Sequence, residues 1–209
     1  MQLYSYFRSS AAYRVRIALN LKGVNYQHVP VNLLHSEQLG DAYRAIQPQG
    51  LVPALVLEDG SALMQSTAIL EWLEESYHTP SLYPGDAIAR ARMRALCNMV
   101  ACDIHPINNL RVLKYLQSEL GADEAQKKGW YQHWVIEGFT AIEALLADGP
   151  FAMGEQLSMA DVYLVPQVFN ALRFDVDMTP YPKLAALYQH CNTLDAFQDA
   201  APGNQPDAN

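Results

Sequence analysis

Two adjacent serines, Ser9 and Ser10, lie where a short aromatic-rich segment ends and a helical pattern begins. Serine is a favoured helix N-cap, because its side-chain oxygen accepts a hydrogen bond from a backbone N–H that the helix leaves unpaired. The first turn of a helix also carries partial positive charge, which favours an anion. The pair is therefore either a plain helix cap or a site for a thiolate, a phosphate or a carboxylate.

Two further segments can each be explained either by local structure or by a ligand site. Pro53, inside the apolar run 51–57, cannot donate to a sheet and belongs at a strand start or edge. A cis bond there would turn the N–H and C=O of Val52 outward to pair with an extended peptide. Ser66 is a good N-cap for a helix over Thr67–Ser76. With Gln65 beside it, the same helix start could bind the α-carboxylate of an amino-acid-like ligand.

The segment 103–111 combines His105 and Pro106 with two asparagines in a region that otherwise has a helical pattern. Polar groups near a proline kink often line a cleft, although His105 could equally be a structural histidine. Arg173 lies just past a predicted helix, where the helix dipole alone explains a basic residue. The chain has no HExxH or comparable ligand spacing, so the sequence predicts no metal site.

The first eighty residues alternate strands and helices, with a final hairpin and helix. This order predicts an α/β domain of thioredoxin-like arrangement over residues 1–80. The predicted strands are 2–6, 26–31, 51–57 and 62–64, and the predicted helices are 11–21, 36–45 and 67–76.

After a linker rich in proline over residues 77–86, no convincing strand follows. Residues 87–209 are therefore predicted to form an all-helical C-terminal domain. Ser158 and Asp161 fit a capping box at the start of one of its helices. The predicted helices are 87–120 with a break near Pro106, 123–147, 158–172, and one or two over 184–200.

Composition restricts the compartment and the partners. The net charge of −8 on 209 residues argues against a nucleic-acid surface, which needs a basic stripe. No apolar stretch approaches the length of a membrane span, and three arginines interrupt the N-terminal segment. The three cysteines have no C-x-x-C spacing, which favours a reducing compartment. We expect a cytoplasmic protein without a membrane or nucleic-acid partner.

The segment from Ser9 to Leu19, Ser-Ser-x-x-Tyr-Arg-Val-Arg-Ile-Ala-Leu, resembles the signature S-S-C-x-W-R-V-R-I-A-L of the zeta class of glutathione transferases. The pairs Val52-Pro53 and Gln65-Ser66, the run 179–182 and the ending 205–207 are also similar to that class. Two positions depart from the signature, since Ala11 replaces its cysteine and Tyr13 its tryptophan. The resemblance implies a thioredoxin-like domain followed by a helical bundle, glutathione as cofactor, and a homodimer.

The resemblance also implies roles for individual residues. Ser9, with Ser10 and Ala11 beside it, would stabilise the glutathione thiolate. Val52 would pair with the glutathione backbone, while Gln65 and Ser66 would bind its γ-glutamyl end. The remaining implied positions are Gln38, His105, Asn109, Leu110 and Arg111 lining the site, and Arg8, Arg173 and Arg111 facing a small dicarboxylate substrate.

The implied activity is a glutathione-dependent cis–trans isomerisation of maleylacetoacetate to fumarylacetoacetate in aromatic amino-acid breakdown. Maleylpyruvate, converted to fumarylpyruvate, is the alternative substrate, and the two differ in the chain beyond the keto group. Conjugation of glutathione to α-halo acids is a second alternative, and a non-catalytic binding module is a third. The departure at Ala11 does not remove the isomerisation, because that chemistry needs no protein thiol.

Overall fold

The computed structural model describes residues 1–208, which form four strands and nine α-helices. The N-terminal region contains β1 (Gln2–Ser5), α1 (Ser10–Leu21), β2 (Gln27–Pro30), α2 (Asp41–Arg44), β3 (Ala54–Val56), β4 (Ala62–Met64) and α3 (Ser66–Ser76). The later helices are α4 (Ala87–Asn98), α5 (Leu110–Ser118), α6 (Glu124–Leu145), α7 (Met159–Arg173), α8 (Pro182–Cys191) and α9 (Asp195–Ala200).

The chain divides into two compact units. The first contains Met1–Ser81 together with the chain from Asn192 onward, and the second contains Leu82–Cys191. The first unit holds a mixed sheet in the order β2-β1-β3-β4, in which β1 and β2 are parallel and the other pairs antiparallel. The second is helical throughout apart from a bridge between Phe151 and Gly154. The predicted order of an α/β domain and a helical domain is confirmed.

Helix α1 is the core of the first unit. Its residues from Ser10 to Leu19 are all buried, including Arg14 and Arg16. A helix that is buried on every side needs partners on every side, and α1 packs against both α3 and α9.

The C-terminal segment differs from the sequence expectation. The sequence assigns all of 87–209 to the helical domain, whereas the segment from Asn192 groups with the first unit. Its attachment is polar as well as apolar: Asn20 on α1 donates to the carbonyl of Ala196 at 3.1 Å, and Phe197 is fully buried. Helical periodicity alone carries no information about which unit a short terminal helix covers.

The second unit shows the predicted interruption near Pro106. A π-helical stretch over Met99–Ile104 follows α4, and α5 begins only at Leu110. The predicted capping box is also present, since the buried Asp161 accepts from the backbone N–H and the hydroxyl of Ser158 and from the N–H of Ala152. Burial raises the pKa of Asp161 to about 6, while these donors oppose the shift.

Candidate functional site

The register of the sheet collects the predicted site of the first unit at one end. Tyr4 of β1 lies opposite Ala54 of β3, and β3 runs antiparallel to β4. The end of β1, the start of β3 and the end of β4 therefore share one end of the sheet. Three predicted positions follow from this: Ser9 after β1, Val52 before β3 and Gln65 after β4.

Ser9 is the N-cap of α1. Its backbone is extended, and its Oγ accepts from the backbone N–H of Ala12 at 3.2 Å. A hydroxyl has one donor and two acceptor positions, so the cap leaves the O–H of Ser9 available. Among residues 1–208 no group accepts from that O–H. The cap and the anion site are thus compatible uses of the same side chain.

Ser10 and Ala11, the first two residues of α1, are both buried, and Arg8 is exposed with its guanidinium 4.8 Å from the ring centre of Phe7. The N-terminus of α1 therefore presents the hydroxyl of Ser9 at a partly exposed position, with a cation one residue before it. This arrangement suits an anion on both counts.

The Val52–Pro53 peptide bond is cis. No other residue of the described chain pairs with the backbone N–H or C=O of Val52. Val52 itself packs against the cluster of Val31, Tyr43 and Ala54. Tyr43 further fixes the approach to this segment by donating to the carbonyl of Leu51 at 2.6 Å. An extended peptide could pair with the backbone groups of Val52.

Gln38 lies in a 3-10 turn over Glu37–Leu39, where it is 9% exposed. Its Oε1 is buried and has no hydrogen-bond partner within the described residues. The turn sits tightly against Gly50, where a Cβ would lie 2.9 Å from the carbonyl oxygen of Gln38. Gly50 has a φ of 65°, so both the conformation and the close approach require glycine there. The unpaired amide oxygen is a feature that a ligand with a donor would explain.

Helix α3 begins one residue earlier than predicted. Ser66 is its first residue instead of its cap, and the N-cap position is Gln65, which has a φ of 68°. The side chain of Gln65 is exposed and donates to Gln49 Oε1 at 2.5 Å. Ser66 Oγ is buried and accepts from Arg14 Nη1 at 3.3 Å. With no side-chain cap on α3, its first N–H groups are open to a carboxylate.

The second unit contains the other predicted site positions. His105 ends the π-helical stretch, and Asn109 caps α5 by accepting from the backbone N–H of Arg111 at 3.1 Å. Leu110 and Arg111, the first residues of α5, are both exposed. The neighbouring Asn108 is buried and donates from its Nδ2 to the carbonyl of Tyr131 at 3.3 Å.

Tyr131 connects this segment to Arg173 within the second unit. Its ring stacks on Phe174 with the centroids 3.7 Å apart, and the side chains of Gln167 and Asn170 lie beside its hydroxyl. Burial raises the pKa of Tyr131 to about 12, and the positive charge of Arg173 opposes the shift. Arg173 is exposed and donates to Asn170 Oδ1 at 3.2 Å. The structure thus joins the start of α5, the middle of α6 and the end of α7.

Sequence reasoning did not identify Tyr131, Gln167 or Asn170. A signal was available for two of them, because Gln167, Asn170 and Arg173 follow one another at intervals of three along the largely buried α7. Polar residues at that spacing share one face of a helix. Tyr131 had no such signal, since aromatic residues on a long helix are usually core.

The described residues hold no group of three or more His, Cys, Asp or Glu side chains that could hold a metal ion. No helix within residues 1–208 is both long and apolar enough to cross a membrane.

Comparison with known proteins shows the family of the chain. Residues 8–76 match the N-terminal domain model of the glutathione S-transferases, and residues 124–190 match the C-terminal domain model. A maleylpyruvate isomerase from a Ralstonia species is 53% identical over 213 residues, which cover 100% of both chains. A zeta-class glutathione S-transferase from Euphorbia esula is 44% identical over 212 residues, which cover 100% of this chain and 92% of that protein. The chain belongs to the zeta class of the glutathione S-transferases. The resemblance seen in the sequence is therefore confirmed.

Two solved structures of this class cover the whole chain. One is the holo structure of a maleylpyruvate isomerase described as a bacterial zeta-class glutathione S-transferase, with 52% identity, full coverage of both chains and a TM-score of 0.97. The other is a maleylacetoacetate isomerase from Methylobacterium extorquens AM1, solved with bound malonate and GSH. It has 38% identity, full coverage of both chains and a TM-score of 0.96.

Proposed function

We propose that this zeta-class protein is a glutathione-dependent cis–trans isomerase of maleyl keto acids, with maleylacetoacetate as the first candidate substrate. The observation that carries the proposal is the hydroxyl of Ser9. Its acceptor side caps α1 through Ala12 and its O–H stays available to donate to a thiolate. Relatives of the same class are isomerases by name, and one was solved with GSH and a dicarboxylate bound.

Bound glutathione would supply a thiolate, which adds to one carbon of the conjugated cis double bond and leaves after rotation about the resulting single bond. The chain's part is to keep the sulfur ionised at neutral pH. Ser9 would donate its O–H to the sulfur, and the N-terminus of α1, where Ser10 and Ala11 lie, adds partial positive charge. Both effects favour the ionised form over the thiol.

The other groups of the first unit suit the remaining parts of glutathione. The unpaired backbone of Val52 would pair with its peptide, and Gln38 Oε1 would accept from one of its N–H groups. The uncapped start of α3 at Ser66, with Gln65 beside it, would bind the α-carboxylate of the γ-glutamyl end. The three protein groups need, in turn, a peptide backbone, an N–H donor and a carboxylate, and glutathione contains all of these.

The arginines would hold the carboxylates of the substrate. Arg8, Arg111 and Arg173 are all exposed, so each guanidinium is accessible to a ligand. A guanidinium binds a carboxylate through two parallel hydrogen bonds, and it stabilises the negative charge that develops on the conjugated carbonyl oxygen. His105 and the segment Asn109–Arg111 would complete the lining of the substrate side.

Maleylpyruvate is the second candidate substrate, favoured by the relative of that name at 53% identity. Conjugation to α-halo acids would use the same thiolate but would consume glutathione. The chain assignment into residues 1–80 as glutathione-binding domain and 87–209 as substrate domain forms part of the proposal, with the segment from Asn192 contributing to the first unit.

The deciding experiment follows the absorbance of maleylacetoacetate and maleylpyruvate, each with and without glutathione, and counts free thiol at the end. We expect loss of the cis substrate with thiol unchanged, and the ratio of the two kcat/KM values names the substrate. Thiol lost in step with substrate would make the protein a conjugating transferase. No reaction with either substrate would contradict the proposal and favour a binding module.

We also propose a cytoplasmic homodimer. Within the described residues Cys97, Cys102 and Cys191 form no disulfide, as expected in a reducing compartment where glutathione is plentiful. The dimer follows from the resemblance to the zeta class. Light scattering coupled to size-exclusion chromatography tests it, and a monomer at working concentration would contradict it.

A further inference from the structure

The chain beyond α9 returns to the turn that leads into Ser9. The backbone N–H of Phe7 donates to Asp207 Oδ2 at 3.0 Å, a contact between residues 200 positions apart. Phe7 lies between the end of β1 and Ser9, and the turn closes where the N–H of Ser9 donates to the carbonyl of Tyr6 at 2.9 Å. Asp207 therefore holds the middle of the turn that carries the candidate catalytic hydroxyl.

Arg16 holds the opposite side of the same residue. Its Nη2 donates to the carbonyl of Phe7 at 3.0 Å, and its Nη1 donates to Ser5 Oγ at 3.0 Å. Its Nε donates to the carbonyl of Ala200 in the C-terminal segment at 2.9 Å. The side chain is fully buried, and burial lowers the pKa of Arg16 to about 10, while Asp207 opposes that shift. Both polar backbone groups of Phe7 thus have a charged partner.

The second carboxylate oxygen of Asp207 lies against a histidine. Its Oδ1 lies 3.1 Å from Nε2 of His28, which belongs to β2. Burial lowers the pKa of His28 below its ordinary value, while Asp207 opposes the shift, and Arg16 is the second basic group near this carboxylate. The carboxylate of Asp207 therefore accepts from a backbone N–H through one oxygen and lies against a histidine ring through the other.

We propose that Asp207 is a positioning residue for the hydroxyl of Ser9. It acts through Phe7. The bond from the Phe7 N–H to Asp207 fixes the peptide group before Phe7, as the bond from Arg16 to the Phe7 carbonyl fixes the one after it. Together they set the direction in which the chain enters α1. Without Asp207 the helix can still form its cap at Ala12, and Arg16 still holds the carbonyl of Phe7, but the N–H of Phe7 loses its partner and the turn from Tyr6 to Ser9 is less constrained. The inference rests on the proposed role of Ser9 toward the glutathione thiolate.

The test measures the thiol pKa of bound glutathione from the ultraviolet absorbance of its thiolate as a function of pH. We expect Asp207→Ala to leave about tenfold less thiolate at neutral pH, which is a pKa rise of about one unit. Asp207→Asn keeps an oxygen that can accept from Phe7 and should restore most of the thiolate. Affinity for S-methylglutathione, which has no thiol to ionise, should change little in either variant.

Gln205→Ala is the matched control. Gln205 lies in the same terminal segment and donates to the carbonyls of Asp199 and Ala201 at 2.7 and 3.0 Å, without a contact to Phe7. We expect it to lower thermal stability and to leave the thiol pKa unchanged. If Asp207→Ala does not fold, Asp207→Glu gives the same test, because it keeps the charge but moves the carboxylate by one methylene.

Three outcomes would overturn the inference. One is a wild-type thiol pKa in the folded Asp207→Ala variant, or in Asp207→Glu where the alanine variant does not fold. Another is a shift of equal size in Gln205→Ala, because a general loosening of the terminal segment would then be enough. The third is an Asp207→Asn variant as impaired as Asp207→Ala. Failure of the proposed role of Ser9 toward glutathione is distinguishable from all three, because wild-type protein would then show no bound thiolate at all.

Discussion

Replacing Ser9 by alanine separates the two roles that the structure gives to one hydroxyl. The substitution removes the oxygen that accepts from the N–H of Ala12 at 3.2 Å, and it removes the O–H proposed to donate to the glutathione thiolate. The first loss affects the free energy of unfolding, whereas the second affects the protonation of a bound ligand. The two can therefore be measured independently.

Each loss has an expected size. Removal of a serine N-cap costs about 1 kcal/mol of stability, because one backbone N–H of the first turn loses its partner. A hydrogen bond to a charged group contributes about 1.5–3 kcal/mol. Converted to the ionisation of the sulfur, this is a rise of about 1–2 units in the pKa of the bound thiol. The fraction of thiolate at neutral pH would fall by about ten- to a hundredfold, and kcat/KM would fall with it.

The assay combines urea unfolding with a thiolate titration of bound glutathione. Asp123→Ala is the matched control, because Asp123 caps α6 by accepting from the N–H of Gln126 at 2.8 Å in the helical unit. It should cost similar stability and leave the thiol pKa unchanged. Ser9→Thr retains both functions of the hydroxyl and should restore the thiolate. If Ser9→Ala loses stability as the control does and the thiol pKa stays at its wild-type value, Ser9 is only a cap.

Three further substitutions test other parts of the structure. Asp161 has a folded-state pKa raised to about 6, above its ordinary 3.8. Its protonation therefore stabilises the fold by up to about 3 kcal/mol below pH 4, a gain lost as pH rises through 6. Urea unfolding across this range should show that component in wild type and not in Asp161→Asn; parallel curves would contradict the raised pKa. Lys22→Met should cost about 3–5 kcal/mol in the same assay at neutral pH, because it removes the buried ammonium that pairs with the partly buried carboxylate of Glu74 and donates to two backbone carbonyls; a loss below about 1 kcal/mol would contradict this. Arg173→Ala should lower kcat/KM for the maleyl substrate by about a hundredfold or more with little change in Tm, whereas Lys128→Ala, a surface cation of the same unit, should leave kcat/KM unchanged; near-normal turnover in Arg173→Ala would remove its role.

The sequence was sufficient for the order of elements, because that order depends on local patterns. Alternating strands and helices, the proline-rich linker and the capping box at Ser158 are all read from neighbouring residues. Helix ends were less well determined: Ser66 has every property of a cap, yet the chain turns one residue earlier, at Gln65 with a φ of 68°. A positive φ at glutamine is set by tertiary contacts, which no local pattern encodes.

The candidate site was predictable where one residue or one motif carries it. Ser9, Val52 and Gln65 were found in this way, and the sheet register brings them to one end. Residues that act through a neighbour far along the chain were not found. Tyr131 lies against α7 from α6, and Lys22, which follows the last residue of α1, buries its ammonium against Glu74. Both depend on contacts whose sequence separation hides them.

The two buried arginines of α1, Arg14 and Arg16, each bind a polar group on a neighbouring segment. Successive residues of an α-helix are about 100° apart, so Arg14 and Arg16 point in nearly opposite directions from the axis. Arg14 reaches Ser66 at the start of α3, and Arg16 reaches Phe7 and the C-terminal segment. One helix therefore connects two parts of the proposed glutathione site, the start of α3 and the turn before Ser9, through two side chains spaced two residues apart. Two apolar side chains of similar volume would fill the same space. They could not hold these segments, because the groups to be fixed, the hydroxyl of Ser66 and the carbonyl of Phe7, both need a hydrogen-bond donor.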